Sequence, residues 1–318
     1  MKIMKCPICL SSAALNNLPL YDDRYGYPGN FFLAKCSVCG HKHLKGEFTP
    51  EVLAELYTKF YPRSKYVLEQ YQPHKEINAF KAWMNGSYSS AFRWIPQNVR
   101  ILDIGCGFGE SLGYHESRSC DVYGVEADEN IRRVAEKFGY KVHVGLFDPN
   151  LYKPDFFDYI TMDQVIEHVT NPIATLRDIA RVLKPGGIAI LTTPNSNGWG
   201  ASVFGHRWIN WHAPYHLQFF SVQSMQLASE QAGLTVEQVK ILTSSEWLLY
   251  QLVHLILCTN MGEPSVFWSF KEERSFKEKL VFKLLAAIHK TKVNHLITRF
   301  CDSIGQGDNY VFFLKKRQ

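Results

Sequence analysis

"NVRILDIGCGFGES", residues 98–111, sets a short apolar run against a carboxylate at Asp103 and three glycines at 105, 107 and 109. An aliphatic run that stops at a glycine turn is the pattern of a buried strand entering a helix through a sharply bent backbone. The texture returns at "CDVYGVEADE", residues 120–129, a second strand closing on Glu126. Further on, the periodicity predicts helix 129–138, strands 140–144 and 157–162, helix 172–183, strand 187–193, helix 221–232 and strand 234–242. Strands alternating with helices predict an α/β fold with a doubly wound, mostly parallel sheet covered on both faces.

The glycine turn narrows what such a sheet binds. A dinucleotide site wants G-x-G-x-x-G, with small residues letting a helix N-terminus approach a pyrophosphate. Here the spacing is G-x-G-x-G, and Glu110 stands where the third Rossmann glycine would fall. Its charge opposes a pyrophosphate, and Asp103 adds a carboxylate directly before the turn. Two acids beside the cleft suit a ligand with a cationic head and no phosphate.

These residues resemble the class I S-adenosylmethionine-dependent methyltransferases. "LDIGCGFG" resembles the family's first motif, and Glu126 resembles the acid that accepts hydrogen bonds from both ribose hydroxyls. "LKPGG" at 183–187 and "LTTPN" at 191–195 resemble the turn into the fifth strand and its end. The resemblance covers residues 98–242 and implies a last strand at Asn309–Lys315, which completes a seven-stranded Rossmann-like sheet. It also implies that Asp103 and the backbone of Gly105, Gly107 and Gly109 hold the methionine end of S-adenosylmethionine. By the same resemblance Leu146 and Phe147 lie near the adenine, and Asp163 lies on the cofactor side.

Two cysteine pairs stand at the front, Cys6 with Cys9 and Cys36 with Cys39. This spacing wraps four thiolates around one zinc, as in a zinc ribbon. Four thiolates close the site, so a structural zinc is expected, folding a segment too small for its own core. His41 and His43 follow the second pair and read as exposed strand residues.

The acceptor side is read from two later stretches. "DQVIEHVTNP", 163–172, follows the fourth strand and delivers Asp163, Gln164, Glu167 and His168 to the carboxyl ends of the sheet, where ligands bind in open α/β folds. It resembles the E-x-x-E-H stretch of many small-molecule methyltransferases and of a metal-assisted RNA-methylating branch, where both glutamates and the histidine are ligands. Gln164 replaces the first glutamate, and a neutral amide is a poor ligand for a hard cation. "GHRWINWHAPYHLQFFS", 205–221, follows the fifth strand and resembles a segment of the quinone- and sugar-associated branches. From it Trp208 and Trp211 are expected to wall an acceptor ring, with Glu167 touching the acceptor. His168, His212 and His216 are the candidate general bases, Phe219 and Phe220 pin the loop to the sheet, and Ser221 caps the next helix.

The remaining features set boundaries. Residues 1–45 read as the zinc-ribbon-like module, 46–97 as a helical linker starting at the Thr49 N-cap, 98–243 as the methyltransferase core, 244–306 as a helical insertion and 307–318 as the last strand. Within the insertion, Trp247–Cys258 and 276–290 carry helical patterning, the latter studded with lysines. They read as a cap over the acceptor, or as a basic amphipathic surface at 247–290 in peripheral contact with the inner face of a membrane. No apolar run reaches eighteen residues. The opening "MKIMKCPICL" has no apolar signal core, so a cytoplasmic protein is expected.

A net charge of +5, from 35 basic and 30 acidic residues, gives no case for a nucleic-acid partner. The expected function is methyl transfer to a small or lipid-linked glycan acceptor, with a hydroxyl of a sugar or related metabolite as the receiving group. The alternatives are a zinc-ribbon RNA methyltransferase and a non-catalytic cofactor-binding module. The sequence sets no oligomeric state.

Overall fold

A computed structural model describes residues 4–15, 19–61, 68–268 and 275–317. Parts of the ranges 1–45, 46–97, 244–306 and 307–318 lie outside the described residues.

The chain opens with four short antiparallel strands, β1 (Met4–Lys5), β2 (Ser12–Leu15), β3 (Phe32–Cys36) and β4 (Lys42–Lys45). A fifth strand, Gln218–Phe219, arrives from the loop after the fifth strand of the large sheet and pairs antiparallel with β4. The small sheet is thus built from strands nearly two hundred residues apart in the sequence. That pairing buries His41 and His43, which the sequence suggested were exposed, and His41 Nε2 meets the Gln218 side-chain oxygen at 2.9 Å. Cys6, Ile8, Cys36 and Cys39 share one core cluster with Leu102, Ile160 and Phe312 of the large sheet.

The segment before the large sheet is less helical than its pattern predicts. Thr49 does cap α1 (Pro50–Glu55), accepting from the Val52 N–H at 3.4 Å, and one π-turn extends it to Phe60. After α2 (Ala79–Asn85) come two 3₁₀ turns, but 71–78 has no regular secondary structure. Tyr71 donates from this stretch to the Gly109 carbonyl at 2.8 Å, so tertiary bonds to the glycine turn replace local helical ones.

The large sheet alternates as expected: β5 (Arg100–Ile104), α3 (Glu110–Glu116), β6 (Asp121–Glu126), α4 (Ile131–Phe138), β7 (Lys141–Val144), β8 (Phe157–Asp163), α5 (Pro172–Val182) and β9 (Leu183–Pro194). There follow α6 (Trp199–Phe204), the small-sheet strand β10 (Gln218–Phe219), α7 (Val222–Gln231) and β11 (Leu234–Leu242). The insertion supplies α8 (Ser245–Ile256), α9 (Phe276–Thr291) and α10 (Val293–Ser303) before β12 (Asn309–Lys316). The strand order is β11-β12-β9-β8-β5-β6-β7, with β5 to β9 parallel and β12 antiparallel to both neighbours.

Side chains alternate across this sheet into two cores. Phe312 and Leu314 enter the cluster on one face, and Val311 the cluster on the other. Each such fully buried aliphatic or aromatic side chain is worth about 1.5–3 kcal/mol over its exposed state. The order puts the carboxyl ends of β5, β8 and β9 side by side, which is where the site forms.

Candidate active site

Two cavities open at those strand ends and share a wall. The first, a cleft of about 610 Å³, is lined by Asp103, Gly105, Gly107, Glu110 and Ser111 at the glycine turn, and by His74, Ser90 and Phe92 from the preceding segment. Gly105 and Gly107 have φ of +77° and +56°. A Cβ on Gly105 would lie 2.5 Å from the Val165 side chain, and one on Gly107 would project into open space. The turn is therefore a bare backbone cradle. Gly109 (φ +84°) caps α3 from behind rather than lining the cleft.

Asp103 is buried, accepting from the Thr161 hydroxyl at 2.7 Å and from the Ser111 hydroxyl. Burial raises its pKa, against which both hydroxyls act. Across the turn, Glu126 is half-buried, and its two oxygens take the N–H groups of Gly107 and Asp128, each at 2.9 Å. Burial raises this carboxyl as well. Leu146 is exposed and Phe147 half-buried just past β7, where Gly145 N–H bonds the Glu126 carbonyl. The cradle, the carboxylate before it and the rim acid opposite fit a cationic nucleoside such as S-adenosylmethionine.

The second cavity, about 480 Å³, lies beyond Asp163 and Ser90, which line both. Its wall is almost wholly polar: Gln164, Asn210, Thr243, Ser244, Asp308 and Asn309, with Trp247 as the one aromatic ring. Gln164 is held there in the left-handed region (φ +55°), donating to the Thr192 hydroxyl at 3.0 Å and the Asn309 side-chain oxygen at 2.8 Å. Asp163 accepts from the Ala91 N–H at 3.1 Å and from the Thr192 hydroxyl, and burial pushes its pKa up to about 6.

The three candidate histidines come together, with Glu167, on neither of these two cavity walls. Ring centroids of His168 and His216 are 4.7 Å apart, and those of His212 and His216 4.8 Å. Burial pulls the His168 pKa down to about 4 and holds those of His212 and His216 well below the ordinary imidazole value, so all three are neutral near pH 7. His168 Nδ1 lies 3.0 Å from the Tyr215 carbonyl and equally close to the Tyr57 hydroxyl, whose oxygen can accept as well, and His216 Nδ1 lies 2.8 Å from the Asn210 carbonyl. A carbonyl only accepts, so each Nδ1 carries the proton and each Nε2 keeps its lone pair.

Glu167 is fully buried with neither oxygen in a full hydrogen bond, and burial, opposed weakly by the nearby Thr193 hydroxyl, pushes its pKa up to about 8. Ligand atoms of Glu167, His168 and His216 lie within 4.8 Å of one another. Such a donor-poor set suits a proton or a divalent cation, and Gln164 points away from it. Asn210 connects the two regions, its carbonyl holding His216 and its residue lining the polar cavity.

The tryptophans part company. Trp208, expected as a ring wall, is fully buried, and its indole N–H donates to Asp308 at 2.9 Å. Its ring packs among Leu33, Leu44 and Phe219 in the core under the small sheet, so the loop uses it as a plug. Trp211 is half-buried against that cluster, with its N–H on the Gly205 carbonyl at 2.7 Å. The ring that does face the polar cavity is Trp247 of the insertion. Its stretch was expected as a cap over the acceptor, and Trp247 with Ser244 does line the cavity. Ser90, Phe92 and His74 carried no sequence signal, because each reaches the site only through the packing of a segment outside the βα repeat. Asp308 is pushed up to about 7 by burial, against the Trp208 and Gly200 N–H bonds it accepts.

In the small sheet the four thiols converge. Cys6 Sγ lies 3.6 Å from Cys39 Sγ and Cys9 Sγ 3.4 Å from Cys36 Sγ, all four fall within 4.8 Å, and none is in a disulfide. Val38 and Cys39 N–H groups point at Cys36 Sγ. Four thiols with backbone donors around them fit one tetrahedral metal ion.

A family model described as a methyltransferase domain matches residues 50–239. The ubiquinone biosynthesis O-methyltransferase of Azoarcus sp. (strain BH72) is 29% identical over 136 residues, 40% of this chain and 56% of that protein. The enzyme of the same name from Pseudomonas fluorescens (strain SBW25) is 27% identical over 192 residues, 55% of this chain and 78% of that one. The first of these matches spans little more than half the relative's length. Among solved structures, Haemonchus contortus phosphoethanolamine N-methyltransferase 2 in complex with S-adenosyl-L-methionine covers 97% of this chain and 70% of that one, with a TM-score of 0.50 at 16% identity. That likeness concerns the fold.

Proposed function

We propose, for a chain that belongs to the methyltransferase domain family and is a class I S-adenosylmethionine-dependent methyltransferase, that the methyl group goes to a hydroxyl of a small polar acceptor held beyond Asp163. The observation that carries this reading is the shared wall: Ser90 and Asp163 line the cradle cleft and the polar cavity alike. A cavity rich in amides and hydroxyls with one tryptophan matches a sugar or related metabolite, free or at the head of a lipid-linked glycan. The relatives' name supports oxygen as the receiving atom.

S-adenosylmethionine supplies a methyl group on a sulfonium, a good leaving group that needs alignment more than activation. The chain's residues align and deprotonate. Asp103 and the turn fix one side, while Gln164 and Asn309, locked to each other, offer donors and acceptors to the hydroxyl's neighbours. Asp163 takes the hydroxyl proton, being ionised above about pH 6 and standing where both cavities meet. His168 is the second reading for the base, favoured by its free Nε2.

Asp163→Asn and His168→Asn separate the two. With tritium-labelled cofactor and a panel of sugars and lipid-linked glycans, Asp163→Asn should lower kcat by roughly 10²–10⁴-fold and abolish the rise in rate through pH 6. Normal turnover by Asp163→Asn with loss in His168→Asn would transfer the role to histidine. A wild-type protein that binds cofactor yet methylates phenolic quinone precursors and no sugar would overturn the acceptor class.

A structural zinc at Cys6, Cys9, Cys36 and Cys39 completes the reading. A cytoplasmic setting, where thiols stay reduced, suits it.

A further inference from the structure

The last helix of the insertion is built inside out. Val293, Leu296, Ile297, Phe300 and Ile304 recur at helical spacing along α10 and its C-cap, and all five face solvent, Phe300 being 65% exposed. Its buried side is polar: Asn294, His295, Thr298 and Arg299. An isolated water-facing helix would turn the other way, because apolar side chains left in water forgo the free energy of burial.

The polar side has a task. Asn294 donates to the Ser245 carbonyl at 3.0 Å, the Thr298 and Ser245 hydroxyls meet at 3.0 Å, and Arg299 donates to the Thr243 carbonyl while pairing with Asp302 at 2.7 Å. Thr243 and Ser244 line the polar cavity. The helix is therefore bonded inward to the acceptor wall and apolar outward.

The preceding helix continues the apolar surface. Phe276, Leu280, Leu284 and Ile288 of α9 stand one above another at four-residue spacing, and Phe276 is 81% exposed. Around these stripes Lys277, Lys279, Lys283, Lys290 and Lys292 are all exposed. The two acids of the pair are occupied: Glu278 takes the Ser275 N–H at 2.7 Å in a capping box, and Asp302 holds Arg299. Nothing acidic offsets the lysines on this face among the described residues. By contrast α8 buries Leu248, Gln251, Val253 and His254, so the exposed surface is 276–304 rather than the 247–290 its sequence suggested. No helix among the described residues is long and apolar enough to cross a membrane.

We infer that the α9–α10 pair lies flat on an anionic lipid surface, its apolar stripes in the acyl boundary and its lysines at the phosphates. Charge selects this occupant. A second copy of the chain would set five lysines against five, whereas an anionic lipid surface pairs with each of them. The lysine stems also lie along apolar surface with their heads in the headgroup layer. Lipid contact then places the wall of the acceptor cavity one hydrogen-bonded layer from the membrane, suiting an acceptor with a polar head and a lipid tail. That last consequence rests on the proposed function; the surface itself does not.

Flotation with vesicles tests it on the full chain. The protein should bind vesicles of phosphatidylglycerol in phosphatidylcholine at least tenfold more tightly than vesicles of phosphatidylcholine alone, and salt should weaken the binding. Leu296→Glu with Phe300→Glu, both solvent-facing and so compatible with folding, should lose binding by tenfold or more. Lys277→Glu with Lys279→Glu and Lys283→Glu should lose the preference for anionic lipid. Calorimetric affinity for S-adenosylmethionine should stay at wild type throughout, which shows the variants folded, and a wild type that binds vesicles but methylates no sugar or lipid-linked glycan would tell against the proposed acceptor alone. Equal binding by Leu296→Glu/Phe300→Glu, or no binding by the wild type, overturns the inference. So does a solution dimer that this double variant dissociates, since the face would then belong to a second copy.

Discussion

Asp308 accepts the indole N–H of Trp208 at 2.9 Å, a bond across 100 residues of sequence that fastens the aromatic loop to the residue before β12. The same Asp308 lines the acceptor cavity. Loop position and cavity shape are therefore one structural feature.

Trp208→Phe should act on stability before it acts on binding. It leaves a buried carboxylate oxygen without its donor, at a cost of about 1.5–3 kcal/mol. Chemical denaturation should report a lower midpoint with an unchanged slope. A raised acceptor KM at normal stability would instead restore Trp208 to the acceptor wall.

Asp308 also carries a pH dependence with a definite sign. Its folded pKa is raised to about 7, above the value near 4 of an unfolded aspartate. The folded protein thus holds the proton more tightly, and the contribution of this group is present below about pH 4 and lost as pH rises to about 7. Asp308→Asn should flatten that part of the curve. The difference between variant and wild type isolates it from the buried neutral histidines, whose contribution runs oppositely, falling away as pH drops below about 6.5. Parallel curves for the two proteins between pH 4 and 7 would refute the assignment.

Glu126→Ala should weaken S-adenosylmethionine binding while leaving the fold intact. The carboxylate is at the rim, held by two backbone N–H groups that water can satisfy in the variant. Each charge-assisted bond to a ribose hydroxyl is worth about 1.5–3 kcal/mol, roughly tenfold or more in affinity. Unchanged calorimetric affinity would remove Glu126 from the cofactor site.

Metal analysis should find about one zinc per chain. Cys6→Ser with Cys36→Ser should release it and loosen the small sheet first. Because Cys6, Ile8, Cys36 and Cys39 are part of the main core, part of the loss should spread to the large sheet. Hydrogen exchange resolves the two stages, and a metal-free wild type with a fully protected small sheet would contradict the reading.

The sequence by itself determined what depends on local pattern. The apolar runs ending at Asp103 and Glu126, the glycine spacing and the strand–helix alternation each rest on neighbours within a turn or a strand, so the sheet and its cradle were legible. So were the four cysteines, whose side-chain chemistry leaves few partners. What only the tertiary structure decided was which side of each ambiguous residue met the core. Trp208 reads as an acceptor wall until Asp308 takes its N–H, and His41 reads as exposed until β10 closes the sheet edge beside it. His168 and His216 are adjacent to Glu167, with His212 beside them, but the cavity next to the cofactor cleft is walled by Ser90, Trp247 and Asn309, brought there from outside the repeat. The outward apolar face of α10 belongs to the same class: periodicity shows that a helix has two faces, and only its hydrogen bonds to Thr243 and Ser245 decided that the polar one turns inward.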